Sequence, residues 1–576
     1  MKNLFIFIFF SVVFSNRLLA VERLFMPNGE FPKYEVRAVW LTTIGGLDWP
    51  HSFAHDGLGI EAQQRELCNI LDSYVEAGFN TVLLQTRVRG TVIYPSQLEP
   101  WEGSVSGQPG RSPGYDPLEY AVNECHRRGL KIHAWVVTIP LGKWNGAGCN
   151  NVKRLLPKLV KKVGDEGFMN PEVEGTGDYI ARICKEITSR YDIDGIHLDY
   201  IRYPDAWGKI SNRDKARNNI TNIVKRVFDV VKTEKPWVVM SCSPVGKYAD
   251  TRRARSRGWN ARDAVCQDVD LWMKNGWMDM IFPMMYFNGD NFYPFVVDWK
   301  ERCGDKTVVP GLGIYFMHKN EKNWPLDVIT REMQVCRGLG LGSCFFRSKF
   351  FTDNTKGLFD YTKTSYSPYI SLTSLKNNQQ TGNIKQPYDL HFSKGDDGQI
   401  YLVWNCDELS NVENGTNTVS DSAVKYNVYG SCDEFVDCND VRNLLLSEYS
   451  ERSIKLPELG LVRNFAVTAI DRYGNESLPV RLRNQAGKTK NSVSDTTNNM
   501  LKCDGKYVYI NDEDISCGEL IEIQTLQDGV SVVRIVRDIQ GYKTVDVSSL
   551  RASHYKIYTV SRKGYKHLVG HFYRHL

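Results

Sequence analysis

The sequence predicts an α/β protein, a (β/α)8 TIM barrel followed by an all-β sandwich and a small C-terminal all-β domain. Three observations carry this. From residue 35 to about residue 350, eight apolar runs alternate with stretches of helical period. The runs are continuous in apolarity, as strands buried on both faces require. After Pro368 the pattern changes to short runs that alternate with a period of two, the mark of half-buried strands.

The eight runs are Val36–Thr42, Thr81–Thr86, Lys131–Thr138, Gly195–Ile201, Trp237–Cys242, Met280–Tyr286, Thr307–Ile314 and Ser343–Phe346. Helical periods fill the gaps. Leu67, Ile70, Leu71, Tyr74 and Val75 make one apolar face, with Gly78 as its stop. Leu118, Ala121, Val122 and Cys125 make a second, closed by Gly129 and capped by Asp116 ahead of Pro117. Ile180, Ile183 and Ile187 make a third, and Ile220, Ile223, Val224, Val227 and Val231 a fourth. Eight such units imply a closed barrel with enlarged loops at the C-terminal rim, where barrel chemistry is placed. No GxGxxG follows the first strand, which disfavours an open doubly wound sheet. The domain boundaries read as 33–372 for the barrel, 385–484 for the sandwich and 499–576 for the last unit.

Composition bounds the function. The net charge of +5 is small for 576 residues and no basic stripe stands out, which speaks against nucleic acid. Thirteen Trp and 29 Tyr suit a sugar-binding cleft and equally a large core. Met1-Lys2-Asn3 precedes the apolar run Leu4–Phe14, so residues 1–20 read as a signal peptide and the chain as exported, to the periplasm or beyond. Of 14 cysteines, Cys125, Cys184 and Cys336 fall on helices and Cys242 and Cys344 on strands, as small buried residues would. Cys432 and Cys438 are the one pair that suggests a local bridge. No Cys/His spacing fits zinc, and no metal or cofactor is required.

The candidate site centres on the fourth run. Alternation turns Gly195, His197 and Asp199 into the barrel, with Asp199 at the rim. A carboxylate there is costly unless paired or used, so it reads as a catalytic carboxylate, a nucleophile, a base or a stabiliser of a cationic sugar intermediate, with His197 orienting it from beneath. Pairing of Asp199 with Arg87, Arg202 or Arg347 is the structural alternative. Tyr286 is a candidate donor at the reacting centre, and Asp290 a candidate second carboxyl or simply a turn residue. Trp49 and Trp135 are candidate subsite platforms, His197 and Arg202 candidate substrate-binding residues beside Asp199, and Arg87 and Arg347 candidate cations at the mouth, Arg87 either holding Asp199 ionised or binding a substrate carboxylate. Asp48 and Glu99 are weaker acid candidates, His133 a core histidine.

The segments Val36-Arg-Ala-Val-Trp40, Leu47-Asp-Trp-Pro50, Tyr94-Pro-Ser96, Pro113-Gly-Tyr-Asp-Pro-Leu118, Lys131-Ile-His-Ala-Trp135, Asp194-Gly-Ile-His-Leu-Asp199-Tyr-Ile-Arg-Tyr-Pro204, Ser243-Pro-Val-Gly246 and Pro283-Met-Met-Tyr286 occur in that order. Together they resemble the glycosyl-hydrolase-like 10 (DUF187) family over residues 33 to 370. The resemblance implies a TIM barrel with glycoside hydrolase activity on bacterial cell-wall glycans, above all peptidoglycan strands stripped of stem peptides. Some relatives carry a second acid where this chain has Tyr200, or an acid where it has Ser348, so the second carboxylate does not carry over. The fourth run also resembles chitinases, but Ile201 stands where their catalytic Glu would be. Ala466-Val-Thr-Ala-Ile-Asp-Arg-Tyr-Gly-Asn-Glu-Ser477, with Leu402-Val-Trp404 and Tyr426-Asn-Val-Tyr429, resembles a fibronectin type III domain, which implies a seven-stranded sandwich. The expectation is therefore an exported hydrolase of a cell-wall or N-acetylated glycan, with the C-terminal β domains docking it to the envelope. The alternatives are a non-catalytic glycan-binding barrel and a hydrolase of plant or host polysaccharide.

Overall fold

The computed structural model describes residues 31–251, 259–373, 384–407, 424–431, 436–456, 464–482, 501–503, 506–510, 520–525, 531–539, 542–550, 553–560 and 566–574. The signal-peptide expectation, the two linkers and the Cys432 side of the suggested bridge lie outside these residues. The chain divides into two compact units, Met1–Gly430 with Val441–Arg481, and Ser431–Asp440 with Leu482–Leu576.

A parallel sheet organises the first unit. Its strands run in the spatial order Thr307–Val308, Met280–Ile281, Val239–Cys242, Gly195–Asp199, Lys131–Val137, Thr81–Arg87, Arg37–Leu41, Ser343–Phe345 and Gly311–Leu312. The two edge strands are consecutive pieces of one segment. Thr307 and Val308 pair with Met280 and Ile281, while Gly311 and Leu312 pair with Cys344 and Phe345. The sheet curls until its edges share that segment, an arrangement that fits a TIM barrel. The sixth and seventh strands are shorter than the sequence suggests. Pro283 and Pro310 break their ladders because proline has no N–H to donate.

Helices Gly57–Glu76, Pro117–Arg127, Gly175–Arg190, Arg213–Glu234, Tyr293–Cys303 and Leu326–Gly338 alternate with the strands. Their starts follow from capping. Asp56 accepts from Gly59 N, Asp116 from Leu118 N and Glu119 N, and Asn212 from Lys215 N. The apolar residues divide into two layers. Leu67, Leu71, Ile180, Ile183, Val224 and Val227 pack between helices and sheet. Ala38, Trp40, Leu83, Trp135, Phe282, Val309 and Cys344 fill the interior of the ring. Gly195 belongs to that interior for want of space: a Cβ there would lie 2.6 Å from the His133 ring. Cys125, Cys184, Cys242, Cys336 and Cys344 are buried free thiols, as their spacing suggests.

The excursion after the third strand is not an irregular loop. It holds a three-stranded antiparallel sheet of Pro140–Lys143, Val160–Val163 and Glu166–Met169, with helix Ala147–Leu155 between. Beyond the barrel, Tyr388–Lys394, Ile400–Asn405 and Ser453–Lys455 form one antiparallel sheet. Leu444–Tyr449, Lys425–Ser431, Asn464–Ile470 and Val480–Arg481 form another. These strands meet the N-terminal end of the barrel through ion pairs: Lys131 with Glu448 at 2.8 Å, Arg472 with Asp192 at 2.7 Å and Lys33 with Glu476 at 2.6 Å.

The second unit is all β. Tyr507–Ile510, Tyr542–Asp546 and Arg537–Ile539 form one sheet; Ser531–Ile535, Leu520–Thr525, Ser553–Val560 and Lys566–Arg574 form another. Val508, Ile521, Ile523, Val545, Ile557 and Phe572 make its core. No described helix is long and apolar enough to cross a membrane.

Candidate active site

The C-terminal ends of the strands open into a cleft of 640 Å³. Asp199 lines it as the last residue of the fourth strand, 6% exposed. Three neutral donors hold its carboxyl group. Ser243 Oγ donates to Oδ1 at 2.7 Å, Tyr200 N to the same oxygen at 2.7 Å, and Trp135 Nε1 to Oδ2 at 3.0 Å. Burial raises the Asp199 pKa above the usual aspartate range, against the pull of these bonds and of the Arg202 charge. The group is thus fixed in position, accessible from the cleft, and holds a proton more readily than an ordinary aspartate.

The residue that follows is strained. Tyr200 has φ +49°, a left-handed conformation unfavourable for a bulky side chain, and it lines the cleft half exposed. That turn aims its N–H back at Asp199. Its ring lies 4.5 Å from the Arg202 guanidinium.

The other predicted site residues divide. Trp135 lines the cleft, and its indole N–H serves Asp199. Tyr286 lines the cleft, stacks on Phe346 at 5.2 Å, and its hydroxyl bonds no described protein group. Burial raises its pKa well above the usual phenol value, so it stays protonated and able to donate. Arg347 lines the cleft with its guanidinium bound to Asp48.

Trp49 is fully buried, its indole donating to Gln63 O, and offers no platform to a sugar. Arg87 is 1% exposed and forms a bidentate pair with Glu99 at 2.7 and 2.8 Å, away from Asp199. A bulge is the reason. Gln85 pairs with Trp135 but Arg87 with Val136, so the alternation slips and turns Arg87 out of the ring. Glu99 is thereby a buried partner and neither acid nor surface residue. His197 lies in the ring as expected but does not touch Asp199. Its Nδ1 meets Ser241 Oγ at 3.0 Å and its Nε2 accepts from Trp40 Nε1 at 3.4 Å. Burial holds His197 far below the usual imidazole pKa and His133 down at about 4, so both are neutral core groups.

Arg202 is buried, pairs with Asp205 at 3.0 Å and does not line the cleft. Asp48 is sealed, accepting from Thr42 N, Thr42 Oγ1 and Lys349 N as well as Arg347. Asp290 is exposed on the turn Gly289–Asn291 and is not among the cleft residues, so it does not supply the second carboxyl there.

Sequence reasoning missed the carboxylates that do line the cleft, Glu166 and Asp205. It also missed Gln85. That side chain is 4% exposed and its Oε1 accepts from Thr43 N and Ile44 N. The carboxamide is therefore oriented with its NH2 left to the cleft. A lone Gln in an otherwise apolar strand was the available signal. Glu166 had none, lying in a segment that reads as a loop. Trp135, Phe168, Tyr200, Tyr286 and Phe346 give the walls aromatic faces, which suit the C–H faces of pyranose rings. Among the described residues no three His, Cys, Asp or Glu side chains come together as a metal-ligand set.

Comparison with known proteins bears on the family. The glycosyl hydrolase-like 10 family model matches residues 35–217 and 210–321. Glycosyl hydrolase YngK of Bacillus subtilis (strain 168) is 30% identical over 376 residues, covering 59% of this chain and 73% of that protein. Glycosyl hydrolase DigH of Escherichia coli (strain K12) is 29% identical over 287 residues, covering 44% of this chain and 65% of DigH, a little under two thirds of its length. The glycoside hydrolase domain of PgaB (BpsB) from Bordetella bronchiseptica superposes with a TM-score of 0.43 at 14% identity, over 57% of this chain and 98% of that domain. The chain belongs to the glycosyl hydrolase-like 10 family and is a glycoside hydrolase.

Proposed function

We propose that this is an exported hydrolase of N-acetylated glycans, with the glycan strands of bacterial peptidoglycan as substrate and Asp199 as the central catalytic residue. One observation carries the reading. Asp199 borders the cleft under three neutral donors, and among the described residues no second carboxylate touches it. The arrangement suits substrate assistance. Ionised Asp199 accepts the N–H of a 2-acetamido group and orients its carbonyl oxygen. That oxygen attacks the anomeric carbon as the glycosidic C–O bond breaks, and an acid protonates the departing oxygen. Water then attacks the anomeric carbon, the bond from that carbon to the acetamido oxygen breaks and restores the amide, and the carboxylate left by the acid takes the proton of the water. Of the two other carboxylates in the cleft, Asp205 is committed to Arg202 at 3.0 Å, whereas Glu166 has no described partner. Glu166 is therefore assigned as the acid, and Gln85 and Tyr286 as donors to substrate hydroxyls.

The two sheets after the barrel, of three and four strands, support a fibronectin type III-like reading of that segment. With the last β unit it would hold the enzyme to the cell envelope. Export rests on the N-terminal segment alone, and cell fractionation tests it.

The experiment is mass spectrometry of products released from peptide-free peptidoglycan, chitin, xylan and mucin glycans. N-acetylated fragments from the first two are expected. Asp199→Asn should lower kcat by about 100-fold or more while far-UV circular dichroism stays native. A folded variant with the wild-type rate would overturn the assignment. Release from xylan alone would overturn the choice of substrate.

A further inference from the structure

The cleft contains a cation whose charge is not spent within the protein. Arg347 is bound to Asp48, but Arg89, exposed and also lining the cleft, pairs with no described carboxylate. The chain around it holds it in place. At Gly90, φ +73°, a Cβ would lie 3.0 Å from Leu141 Cδ2 and 3.1 Å from Gly148 Cα. At Gly148 it would lie 2.7 Å from the Gly90 carbonyl carbon, and at Gly142 3.2 Å from Arg89 Cδ. The backbone at 89–90 is pressed onto Gly148, and the Arg89 stem lies on Gly142. Two residues upstream, Arg87 is tied to Glu99, Val137 O and Thr138 O, which anchors the approach to the loop. Three glycines and a buried ion pair thus fix the backbone and the stem from which the Arg89 guanidinium reaches the cleft.

A second observation is independent of the first. Residues 140–169, which supply Gly142, Glu166 and Phe168 to the cleft, hold six basic and two acidic side chains, in a chain whose net charge is only +5. The ammonium of Lys161 sits 3.9 Å over Trp207, and that of Lys153 4.1 Å over Trp144. One wall of the cleft is therefore attached to a basic segment that attracts polyanions.

We infer that Arg89 is the residue by which this cleft tells an acidic sugar from a neutral one, its guanidinium pairing with a carboxyl group that the sugar carries as a lactyl ether or as a uronic acid. A guanidinium fork matches a carboxylate bidentately, which no neutral sugar group reproduces. This rests on the reading of the cleft as a glycan site centred on Asp199, and it deepens that reading by naming what the second charged contact selects.

The test measures binding to full-length protein carrying Asp199→Asn. The ligands are peptide-free peptidoglycan strands and oligogalacturonate, each beside its carboxyl-reduced counterpart. A charged hydrogen-bonded contact predicts about 10- to 100-fold tighter binding of an acidic ligand than of its reduced form, weakening as salt rises. Adding Arg89→Gln should erase that preference, and Arg89→Lys should restore part of it. Whichever acidic ligand shows the preference identifies the lactyl or the uronic source. Equal binding of acidic and reduced forms of both ligands, or a preference that survives Arg89→Gln, overturns the inference. Cleavage by Asp199→Asn is scored separately, so failure of the catalytic assignment is distinguishable from failure of this one.

Discussion

At the scale of single residues, burial decides which charges are available for chemistry. Arg87, Glu99 and Asp48 look functional in the sequence, yet each is consumed by an ion-pair partner. Asp199 differs because its partners are neutral and one side of it opens on the cleft. Glu332 is the opposite extreme. It is fully buried on helix Leu326–Gly338, and both its carboxyl oxygens lack a hydrogen-bond partner among the described residues. Burial pushes its pKa up to about 9. The folded protein therefore keeps a proton that the unfolded chain releases near pH 4 to 5. Stability falls as pH rises from there to about 9, by on the order of 3 kcal/mol at pH 7. Glu332→Met should raise Tm at pH 8, and the gain should shrink toward pH 4. A Tm difference that is flat with pH would show that the carboxyl group finds a partner in solution.

At the scale of elements, what was legible followed periodicity. Strands rich in apolar residues and helices with capped starts stand nearly where the sequence places them, and Asp199 was found because alternation within one strand points to it. The bulge between Gln85 and Arg87 has no such mark, since one extra residue in a strand leaves composition unchanged while reversing side-chain direction. The small sheet of the excursion was equally silent. Its strands Pro140–Lys143, Val160–Val163 and Glu166–Met169 are four residues each and mix lysine, glycine and glutamate. With it went Glu166 and the surroundings of Arg89. The contact between that element and the second strand's loop is close enough to test. Gly148→Ala should cost about 1–3 kcal/mol, because its methyl group would fall on the Arg89–Gly90 peptide. Gly57→Ala, where nothing lies within 4 Å, is the control and should be neutral or slightly stabilising. Equal Tm values for the two variants would show that the excursion yields easily.

At the scale of the whole molecule, the first unit joins a barrel to a β module through groups that water hardly reaches. Lys131 bridges Asp194 at 3.2 Å and Glu448 at 2.8 Å, and His126 meets Asp194 at 2.9 Å. Lys131 holds the pKa of Glu448 below the usual range, and Lys131 with His126 holds that of Asp194 well below it. Their stabilisation is present above the unfolded carboxylate pKa values and is lost as pH falls through the lower folded ones, so the join should loosen below about pH 4. Lys131→Met would strand two carboxylates and should cost about 3–5 kcal/mol, read as a drop in the urea midpoint. A midpoint unchanged by that substitution would mean that solvent screens the join. The same contacts bear on how such proteins diversify. Positions 131 and 192 meet positions 448 and 472 in ion pairs, with 194 tied to 131, so the piece that can be transplanted intact is longer than the catalytic barrel. A chimera that borrows a β module from a distant relative must bring the matching charges on both sides, or begin life with an unmatched seam.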